Sequence, residues 1–424
     1  MILVRPPDDR VSDDRVSDDA PAGSPAAPPA AVGAGPVPRI EIVGDLAAAA
    51  PAWRELAEQG LGTPFQRLDW VSAWQRHVGT PAGMRPVVVI GRNARGAPAF
   101  LWPFAVGRAG PLAVARFPGC NHAGFGMGVW RPEAAAAVTA EEVARTLAAV
   151  ARAEKIDVFS LERQPRRWHG MDNPFAGLPT TPSIDDVVGA TFPPGDVEAV
   201  LAAVMTRDMR SRLRNKERKL AKLPGYRYLR AGDAAEAERL LTAFLAQKAA
   251  QFAAQNLPDV FAEPGVTDFL RTACREGVGE GMPAIELHAL VCDAEVIAVM
   301  GGVADRRGFS CMFNAYTASE NGRWSPGLVL ITHIVADCAA RGLTGFDLGP
   351  GAASYKTFFC REPAGLVDTL LPVSAKGRAG VAVLTGLRAA KRRIKASPRL
   401  LALVQRLRRA AGRSSGSSPD PSSA

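Results

Sequence analysis

The amino-acid sequence predicts an α/β protein in which two similar domains with mixed sheets lie side by side. Two patterns occur twice along the 424 residues: a hairpin of apolar strands, and a helix that leads into a buried strand. A repeat of this length indicates duplication of one structural unit. Any helix followed by a buried strand gives a similar pattern, so chance likeness is the alternative.

The first copy begins with "RPVVVIGRNARGAPAFLWPFAVG", which predicts two strands joined by a polar turn at Asn93–Gly96. "LAAVARAEKIDVFSLE" then predicts a helix that runs into a strand. Thr139 and Glu142 form a capping box at the start of this helix. Upstream, Phe65, Trp70 and Trp74 are expected in the core.

The second copy repeats the hairpin in "IELHALVCDAEVIAVMGGVADRRG", with its turn around Asp293–Glu295, and the helix and strand in "HIVADCAARGLTGFDLG". When the copies are aligned on Phe159 and Phe346, Ser160 falls opposite Asp347. The second copy therefore carries the reactive residue types, and the first is expected to be a degenerate scaffold.

The predicted domains are 39–205 and 206–374, between a tail at 1–38 and a tail at 375–424. The first tail, "DDRVSDDRVSDD" and an Ala/Pro/Gly run, is expected to be disordered because it cannot bury enough apolar surface. The second combines a basic amphipathic helix with a Ser/Pro-rich end. The net charge of +9 comes from this second tail, so DNA is not an expected partner.

Composition also limits the compartment and the cofactors. No apolar run approaches the roughly 18 to 20 residues that span a bilayer, and the acidic start does not resemble a signal peptide. The six cysteines are dispersed, which predicts a reducing cytoplasm and no metal site.

A loop-opened helix is predicted in "NGRWSPGLVLITHI", with Ser325 as N-cap and Pro326 at the first helical position. Gly327 would let a ligand approach the first N–H groups, where the helix dipole favours a phosphate. The apolar face expected to pack on a sheet consists of Leu328, Ile331, Val335 and Cys338. Many helices without a ligand also start with Ser-Pro-Gly, so that alternative stays open.

The segment "GFDLGPGAASYKTFF" places Asp347 at the carboxyl end of a strand, where α/β sheets bind ligands. Gly349 and Gly351 permit a tight loop, and Tyr355 and Lys356 follow it. A carboxylate, a phenol and an ammonium can orient a nucleophile, donate a proton and hold an anion. The alternative is a capping aspartate with a solvated lysine.

The run "RDMRSRLRNKERKLAK" predicts a basic helix. It is either a solvated amphipathic helix or a rim that guides an anionic acceptor to the site. In the second interpretation the acceptor meets Arg212, Arg214 and Lys216.

The order of hairpin, strand "RGFSCMFNAY", loop-opened helix, strand and glycine loop resembles the core of GNAT acyltransferases. "SPGLVL…GLTGFDLGPGAASYKTFF" and "TPFQRLDWVSAW" resemble more narrowly the CelD-type GNAT proteins associated with cellulose and exopolysaccharide production. "RSRLRNKERKLAKLPGYRY" is similar both to them and to the Fem peptidoglycan-bridge transferases, which carry two GNAT-like domains. The resemblance covers roughly residues 40–372, but the usual GNAT loop Q/R-x-x-G-x-G/A is absent.

The resemblance implies that acetyl-CoA or another acyl-CoA binds where strands 308–316 and 343–349 part. Asp347 and Tyr355 are the expected catalytic residues; Tyr355 would protonate the leaving thiolate, with Tyr316 as the reserve. The expected donor-binding residues are Phe313, Asn314, Ala315, Ser325, Gly327, Leu328, Gly349, Gly351 and Lys356. The expected acceptor-binding residues are Gln66, Arg212, Arg214, Lys216 and Lys248.

The sequence thus predicts a cytoplasmic N-acyltransferase that acts on an amine of a sugar or cell-envelope precursor. One alternative is a Fem-like aminoacyl transferase, for which tRNA would be a partner. The other is a non-catalytic adaptor in a polysaccharide synthesis complex. The basic tail, with Leu400, Leu403, Val404 and Leu407 on one face, is either a helix that contacts an anionic inner membrane or one that packs on the protein.

Overall fold

The computed structural model describes residues 39–184, 187–192, 195–350, 356, 358–359 and 362–383. The expected disordered tail, most of the basic tail, Gly351 and Tyr355 therefore lie outside the described residues. The described chain forms two mixed sheets and a two-stranded ribbon, with helices packed on the sheets.

The first sheet has the order β1-β2-β3-β4-β6-β17-β9, and β5 pairs with β3. All pairings whose registers are known run antiparallel except β4–β6, which is parallel. Its strands are β1 (Arg39–Val43), β2 (Arg85–Arg92), β3 (Pro98–Ala109), β4 (Leu112–Arg116), β5 (Val129–Trp130), β6 (Val158–Pro165), β9 (Thr181–Pro182) and β17 (Leu366–Pro372). The ribbon pairs β7 (Arg167–Trp168) with β8 (Met171–Asp172).

The helices of the first half are α1 (Leu46–Gln59), α2 (Leu68–Trp74), α3 (Pro132–Ala137) and α4 (Ala140–Glu154). α4 begins with the predicted capping box of Thr139 and Glu142. Phe65, Trp70 and Trp74 are fully buried, as predicted.

The second sheet has the order β11-β12-β13-β14-β15-β10-β16. Only β14 and β15 pair in parallel among the registers described for it. Its strands are β10 (Val187–Thr191), β11 (Arg227–Arg230), β12 (Glu286–Val291), β13 (Val296–Ala304), β14 (Gly308–Tyr316), β15 (Gly345–Pro350) and β16 (Glu362–Ala364).

The helices of the second half are α5 (Val197–Val204), α6 (Arg207–Leu220), α7 (Ala234–Ala254), α8 (Val266–Arg275) and α9 (Pro326–Ala340). α9 buries Ile331, Val335 and Cys338 as predicted, whereas Leu328 is half-buried. A partly buried ion pair lies at the C-terminal end of α9: the Arg341 guanidinium donates to both carboxylate oxygens of buried Glu286 on β12, at 2.7 and 2.8 Å.

The two sheets confirm the internal repeat. β2-β3-β4-α4-β6 in the first sheet and β12-β13-β14-α9-β15 in the second follow the same order, each with a helix before a parallel partner strand. Ala115 pairs with Phe159, and Phe309 pairs with Phe346, so the two phenylalanines are equivalent positions.

Each sheet also contains one strand from the other half of the sequence; these two strands, β10 and β17, are called the exchanged strands. β10 precedes α5 but lies between β15 and β16, and β17 follows β16 but lies between β6 and β9. Neither sheet is therefore made from a contiguous stretch of chain. The predicted domain boundary at 205/206 does not separate the two sheets. β10 precedes this boundary but belongs to the second sheet, and β17 follows it but belongs to the first. The boundary therefore stays a prediction.

The halves also share a hydrophobic core. Trp70 of α2 and Phe269 of α8 pack edge to face, with ring centroids 5.3 Å apart. Among the described residues, no helix is long and apolar enough to cross a membrane. The described residues 372–383 belong to a unit separate from the rest of the described chain; within it, 375–383 are helical and the Ser374 hydroxyl accepts the N–H of Gly377.

Candidate active site

The second sheet opens between its two parallel strands. β14 and β15 pair only from Gly308–Gly345 to Ser310–Asp347, although β14 continues to Tyr316 and β15 to Pro350. On its other side, β14 has a bulge opposite Gly301 and Gly302 that leaves Met312 without a partner in the register. The predicted parting of the strands is therefore present and begins at Asp347.

Asp347 occupies this last paired position and is buried. Its Oδ2 accepts the hydroxyl of Ser310, and its Oδ1 accepts the N–H of Gly349 at 2.9 Å. Burial raises the pKa of Asp347 to about 7, although these hydrogen bonds and the charge of Lys356 act to lower it. A carboxyl group that titrates near neutral pH can accept a proton under physiological conditions.

The loop after Asp347 depends on a glycine and is anchored by a lysine. Gly349 has a φ of +70°, and a Cβ there would lie 2.6 Å from the carbonyl oxygen of Cys311. The ammonium of buried Lys356 donates to the carbonyl oxygens of Gly349 and Pro350 at 2.8 and 3.1 Å. Lys356 is therefore not a solvated surface residue. These two hydrogen bonds direct its ammonium toward backbone carbonyls rather than toward an anion.

The start of α9 differs from the prediction in one detail. Ser325 occupies the N-cap position, but its backbone is left-handed (φ 52°, ψ 53°) and its side chain does not cap the helix. Its hydroxyl instead accepts the ammonium of Lys216 at 2.6 Å. In the described part of the chain, a Cβ on Gly327 would meet only the ring of Tyr316, at 3.7 Å. The first turn therefore has both room and a nearby cation.

Lys216 belongs to the predicted basic helix, here α6, which packs on α9 through Leu213 and Leu220. Glu217 on the same helix contacts His333 of α9 through a 2.5 Å hydrogen bond. Of the three basic residues expected at the site, Lys216 reaches the start of α9. Arg212 instead pairs with Asp208, and Arg214 with Glu198 of α5.

A surface cavity of about 300 Å³ lies beside α6, away from its packed face. Its lining consists of Arg207, Arg210, Ser211, Arg214 and Arg218. Glu198 neutralises part of this charge because it pairs with both Arg210 and Arg214.

Lys248 lies on α7, on the part of the helix near β14. Its ammonium is 5.4 Å from the ring centre of Phe252 and donates to Gln251. Burial lowers the pKa of Lys248, while Cys311 and Asp259 act in the opposite direction. Lys248 therefore approaches the strand that carries Ser310 and Cys311, and its role in acceptor binding stays a prediction.

The residues predicted to polarise the thioester lie at the end of β14, where it no longer pairs with β15. Phe313, Asn314 and Ala315 lie beyond the last β14–β15 pair, and Phe313 packs on Phe244 of α7 at 4.3 Å between ring centres. The side chain of Tyr316 is 54% exposed at the end of the strand.

Gln66 is fully buried, so its amide faces no open groove. Its Nε2 donates to the carbonyl of Phe125 at 3.3 Å, and its Oε1 accepts the N–H of Thr63 at 3.2 Å. It supports a loop of the first half that reaches the site: a Cβ on Gly124 would lie 3.5 Å from Pro350.

Sequence reasoning missed two contributors. The first is Ser310, which bonds Asp347 from the neighbouring strand. The second is the loop "GCNHAGFGMG", residues 119–128, whose four glycines in ten residues were a visible signal of close packing. Within the described residues, no cluster of His, Cys, Asp or Glu has the arrangement of a metal site.

Comparison with known proteins agrees with this geometry. Residues 207–357, which include α6 to α9 and β11 to β15, match the family described as "Acetyltransferase (GNAT) domain". This segment is a GNAT-type acetyltransferase domain. The protein is accordingly an acyltransferase, and the first sheet is a second unit of the same mixed α/β type.

Among solved structures, FemX superposes with a TM-score of 0.54 at 9% identity, over 78% of this chain and 97% of FemX. The C-terminal domain of a putative lysylphosphatidylglycerol synthetase from Agrobacterium fabrum gives 0.48 at 12%, over 81% and 98%. A tandem GNAT protein from the clavulanic acid pathway gives 0.42 at 13%, over 78% and 98%. The FemX likeness concerns the fold alone. No curated protein matches the chain.

Proposed function

We propose that this GNAT protein transfers an acyl group from an acyl-CoA, acetyl-CoA foremost, to an amine of a sugar or cell-envelope precursor, as in CelD-type exopolysaccharide proteins. The observation that carries the proposal is the opened pair of parallel strands with buried Asp347 at the point of opening. A donor that enters this gap places its reacting carbon between two strands and beside one carboxyl group.

The donor's pyrophosphate would meet the N–H groups of Ser325, Gly327 and Leu328, where the dipole of α9 favours negative charge. Lys216 adds a full positive charge at this place because its ammonium is held on the Ser325 hydroxyl. That cation offsets the missing glycines of the usual GNAT loop. We therefore assign Lys216 to the donor rather than to the acceptor, where the sequence interpretation placed it.

In the transfer step, the neutral amine attacks the thioester carbonyl carbon, a C–N bond forms and the C–S bond breaks. Backbone N–H groups near Phe313 to Ala315 would stabilise negative charge on the carbonyl oxygen. Asp347 would accept the proton that the amine loses. Tyr355, which lies outside the described residues, would protonate the thiolate, with Tyr316 as the reserve.

The proposal is tested by thermal unfolding with acetyl-CoA, longer acyl-CoAs and free CoA. A ligand that binds only the native state stabilises it by about 2.7 kcal/mol at 100 times its Kd. We expect stabilisation by at least one of these ligands. If none of them raises the unfolding temperature, CoA is not the carrier of the acyl group.

Gly327→Glu should abolish that stabilisation while the protein stays folded, because a carboxylate would then occupy the phosphate position. Gly279→Glu is a matched control, since a Cβ on Gly279 meets no described residue within 4 Å and its φ is not positive. Full CoA affinity in folded Gly327→Glu would remove the start of α9 from the donor site.

The alternative of a Fem-like aminoacyl transferase is favoured by one observation, the arginine-lined cavity on α6. Aminoacyl-tRNA would then contact these guanidinium groups through its phosphates. Retention of radiolabelled aminoacyl-tRNA on filters, together with no stabilisation by any CoA ligand, would support this function over the first.

A further inference from the structure

The groups around Asp347 have opposite effects on the charge of its carboxyl group. Burial and the nearby carboxylate of Asp305, in the turn between β13 and β14, disfavour its charge. Ser310, Gly349 and Lys356 favour it. Among the residues that the structure describes, the other titratable groups on this side are Cys311 of β14 and, beyond it, Lys248 of α7. Burial raises the pKa of the Cys311 thiol to about 12.

On the remaining side, the exchanged strand β10 places Gly189 directly opposite Asp347. A Cβ on Gly189 would lie 3.3 Å from the Cβ of Asp347, so β10 contributes close packing and no polar side chain. The charge on Asp347 therefore depends on β14, on its own strand and on the loop that follows it.

The two side chains that favour this charge are held in place by other contacts. Ser310 is 2% exposed, and its hydroxyl donates to Oδ2 of Asp347 across the last strand pair. Lys356 is 5% exposed, and its ammonium donates to the carbonyls of Gly349 and Pro350, on the same strand as Asp347. Neither side chain can turn away without leaving a buried polar group unsatisfied.

We propose that Ser310 and Lys356 are positioning residues for Asp347: the hydroxyl fixes one carboxylate oxygen, and the anchored ammonium supplies positive charge that favours the ionised carboxylate over its protonated form. The inference rests on the proposed function, in which Asp347 accepts the proton of the amine. It also gives Lys356 a role other than the anion binding that the sequence suggested.

The physical basis is the cost of burying a lone carboxylate, which takes up a proton unless donors or a cation compensate. With Ser310 and Lys356 in place, Asp347 ionises near pH 7. Loss of either should move its titration to higher pH and leave less of the base form at neutral pH. A purely structural role would change stability without this movement.

The experiment follows the Asp347 carboxyl by ¹³C NMR in the full chain labelled at aspartate side-chain carboxyls, with Asp347→Asn to assign the resonance. Ser310→Ala and Lys356→Met are each expected to raise the titration midpoint by about one pH unit or more. Ser310→Thr, which keeps the hydroxyl, should restore the wild-type midpoint.

Ser319→Ala is the matched control, because it removes a comparable serine–carboxylate hydrogen bond, at Glu295. It should leave the Asp347 midpoint unchanged. Circular dichroism reports whether each variant folds, and Ser310→Ala decides alone if Lys356→Met does not fold. Unchanged midpoints in the folded variants would overturn the inference.

The pH profile of acetyl-CoA turnover, measured by thiol release, separates this inference from the proposed function. If the midpoints move and the acid limb of the rate moves with them, both hold; a shift from 7 to 8 lowers the rate at pH 7 about fivefold. If the midpoints move but the rate profile does not, the positioning stands and Asp347 is not the base.

Discussion

The pH behaviour of Asp347 has a consequence for stability as well as for transfer. Its pKa is raised from 3.8 to about 7 in the folded protein. Between these values the native state binds more protons than the unfolded state, so the stability that this proton contributes is present at low pH and is lost as pH rises through 7. Above that pH the folded protein carries a buried carboxylate.

We therefore expect Asp347→Asn to lower turnover by about 10²- to 10⁴-fold without weakening CoA binding. At pH 8 the same variant should unfold at a higher temperature than the wild type, with a gain of up to about 4 kcal/mol for three pKa units. Stopped-flow thiol release and calorimetry measure the two effects. Ser160→Ala, the equivalent change in the first half, should alter neither; an equal loss of turnover there would place the active site in the other half.

At this scale the sequence predicted Asp347 and Gly349 because a strand end followed by glycine can be recognised locally. Ser310 was not predictable in the same way, since its contact with Asp347 depends on the register between β14 and β15. Lys356 was predicted as part of the site, but its contacts with two carbonyls depend on the loop conformation.

Among the elements, α9 connects the proposed donor site at its first turn with the buried interior of the second sheet. At its C-terminal end, Arg341 holds Glu286, whose side chain is 5% exposed. Burial opposes the charge of Glu286, but the nearby His288 and the hydrogen bonds from Arg341 outweigh burial and lower the pKa of Glu286 to about 2. The stability that ionised Glu286 contributes to the folded protein is therefore present above pH 4.5 and is lost as the pH falls toward 2.

Arg341→Met should destabilise the protein by about 3 to 5 kcal/mol at pH 7, because it leaves a buried carboxylate without its cation. Urea unfolding measures the loss, which should shrink as the pH is lowered. Arg323→Met, which breaks an exposed pair with Glu320, should cost less than about 1 kcal/mol. Equal effects of the two changes would contradict the importance assigned to the buried pair.

The position of α9 was predictable from Ser-Pro-Gly and its apolar face, but the role of its first residue was not. Ser325 adopts a left-handed conformation and accepts a hydrogen bond from Lys216, which is distant in sequence. A local pattern indicates where a helix begins, whereas tertiary contacts determine which groups its first turn meets.

Across the whole molecule, the exchanged strands and the shared core make the two halves interdependent. β10 completes the second sheet, β17 completes the first, and Trp70 packs on Phe269 between them. The duplication was predictable because hairpin and helix–strand patterns repeat. The exchange was not, since β10 and β17 are short and pair with strands far along the chain.

We expect residues 206–383 expressed alone to be insoluble or unfolded, because their sheet lacks β10. Co-expression with residues 39–205 should restore a soluble complex that co-purifies and unfolds in one transition. Circular dichroism and size-exclusion chromatography test this outcome. A stable, cooperatively folded 206–383 fragment would show instead that the second half is independent.

The basic tail belongs to this scale as well, although residues 384–424 lie outside the described part of the chain. We expect the full chain to sediment with anionic liposomes in a salt-sensitive manner, since each basic residue near such a surface contributes about 1 kcal/mol. A chain that ends at Ala375 should stay in solution with unchanged CoA binding. If the full chain does not sediment with the liposomes, the tail does not bind an anionic membrane.

The exchange of β10 and β17 also orders events during translation. β10 leaves the ribosome before β15. At a synthesis rate of 5 to 20 residues per second, β10 has no partner strand for a time on the order of ten seconds. The first sheet likewise lacks β17 until late in synthesis. Both sheets therefore keep an unpaired edge until the last part of the chain emerges. A premature stop after β15 would leave the first sheet without β17 and the second without β16. Nonsense mutations there should therefore yield chaperone-bound or degraded chains rather than one working half.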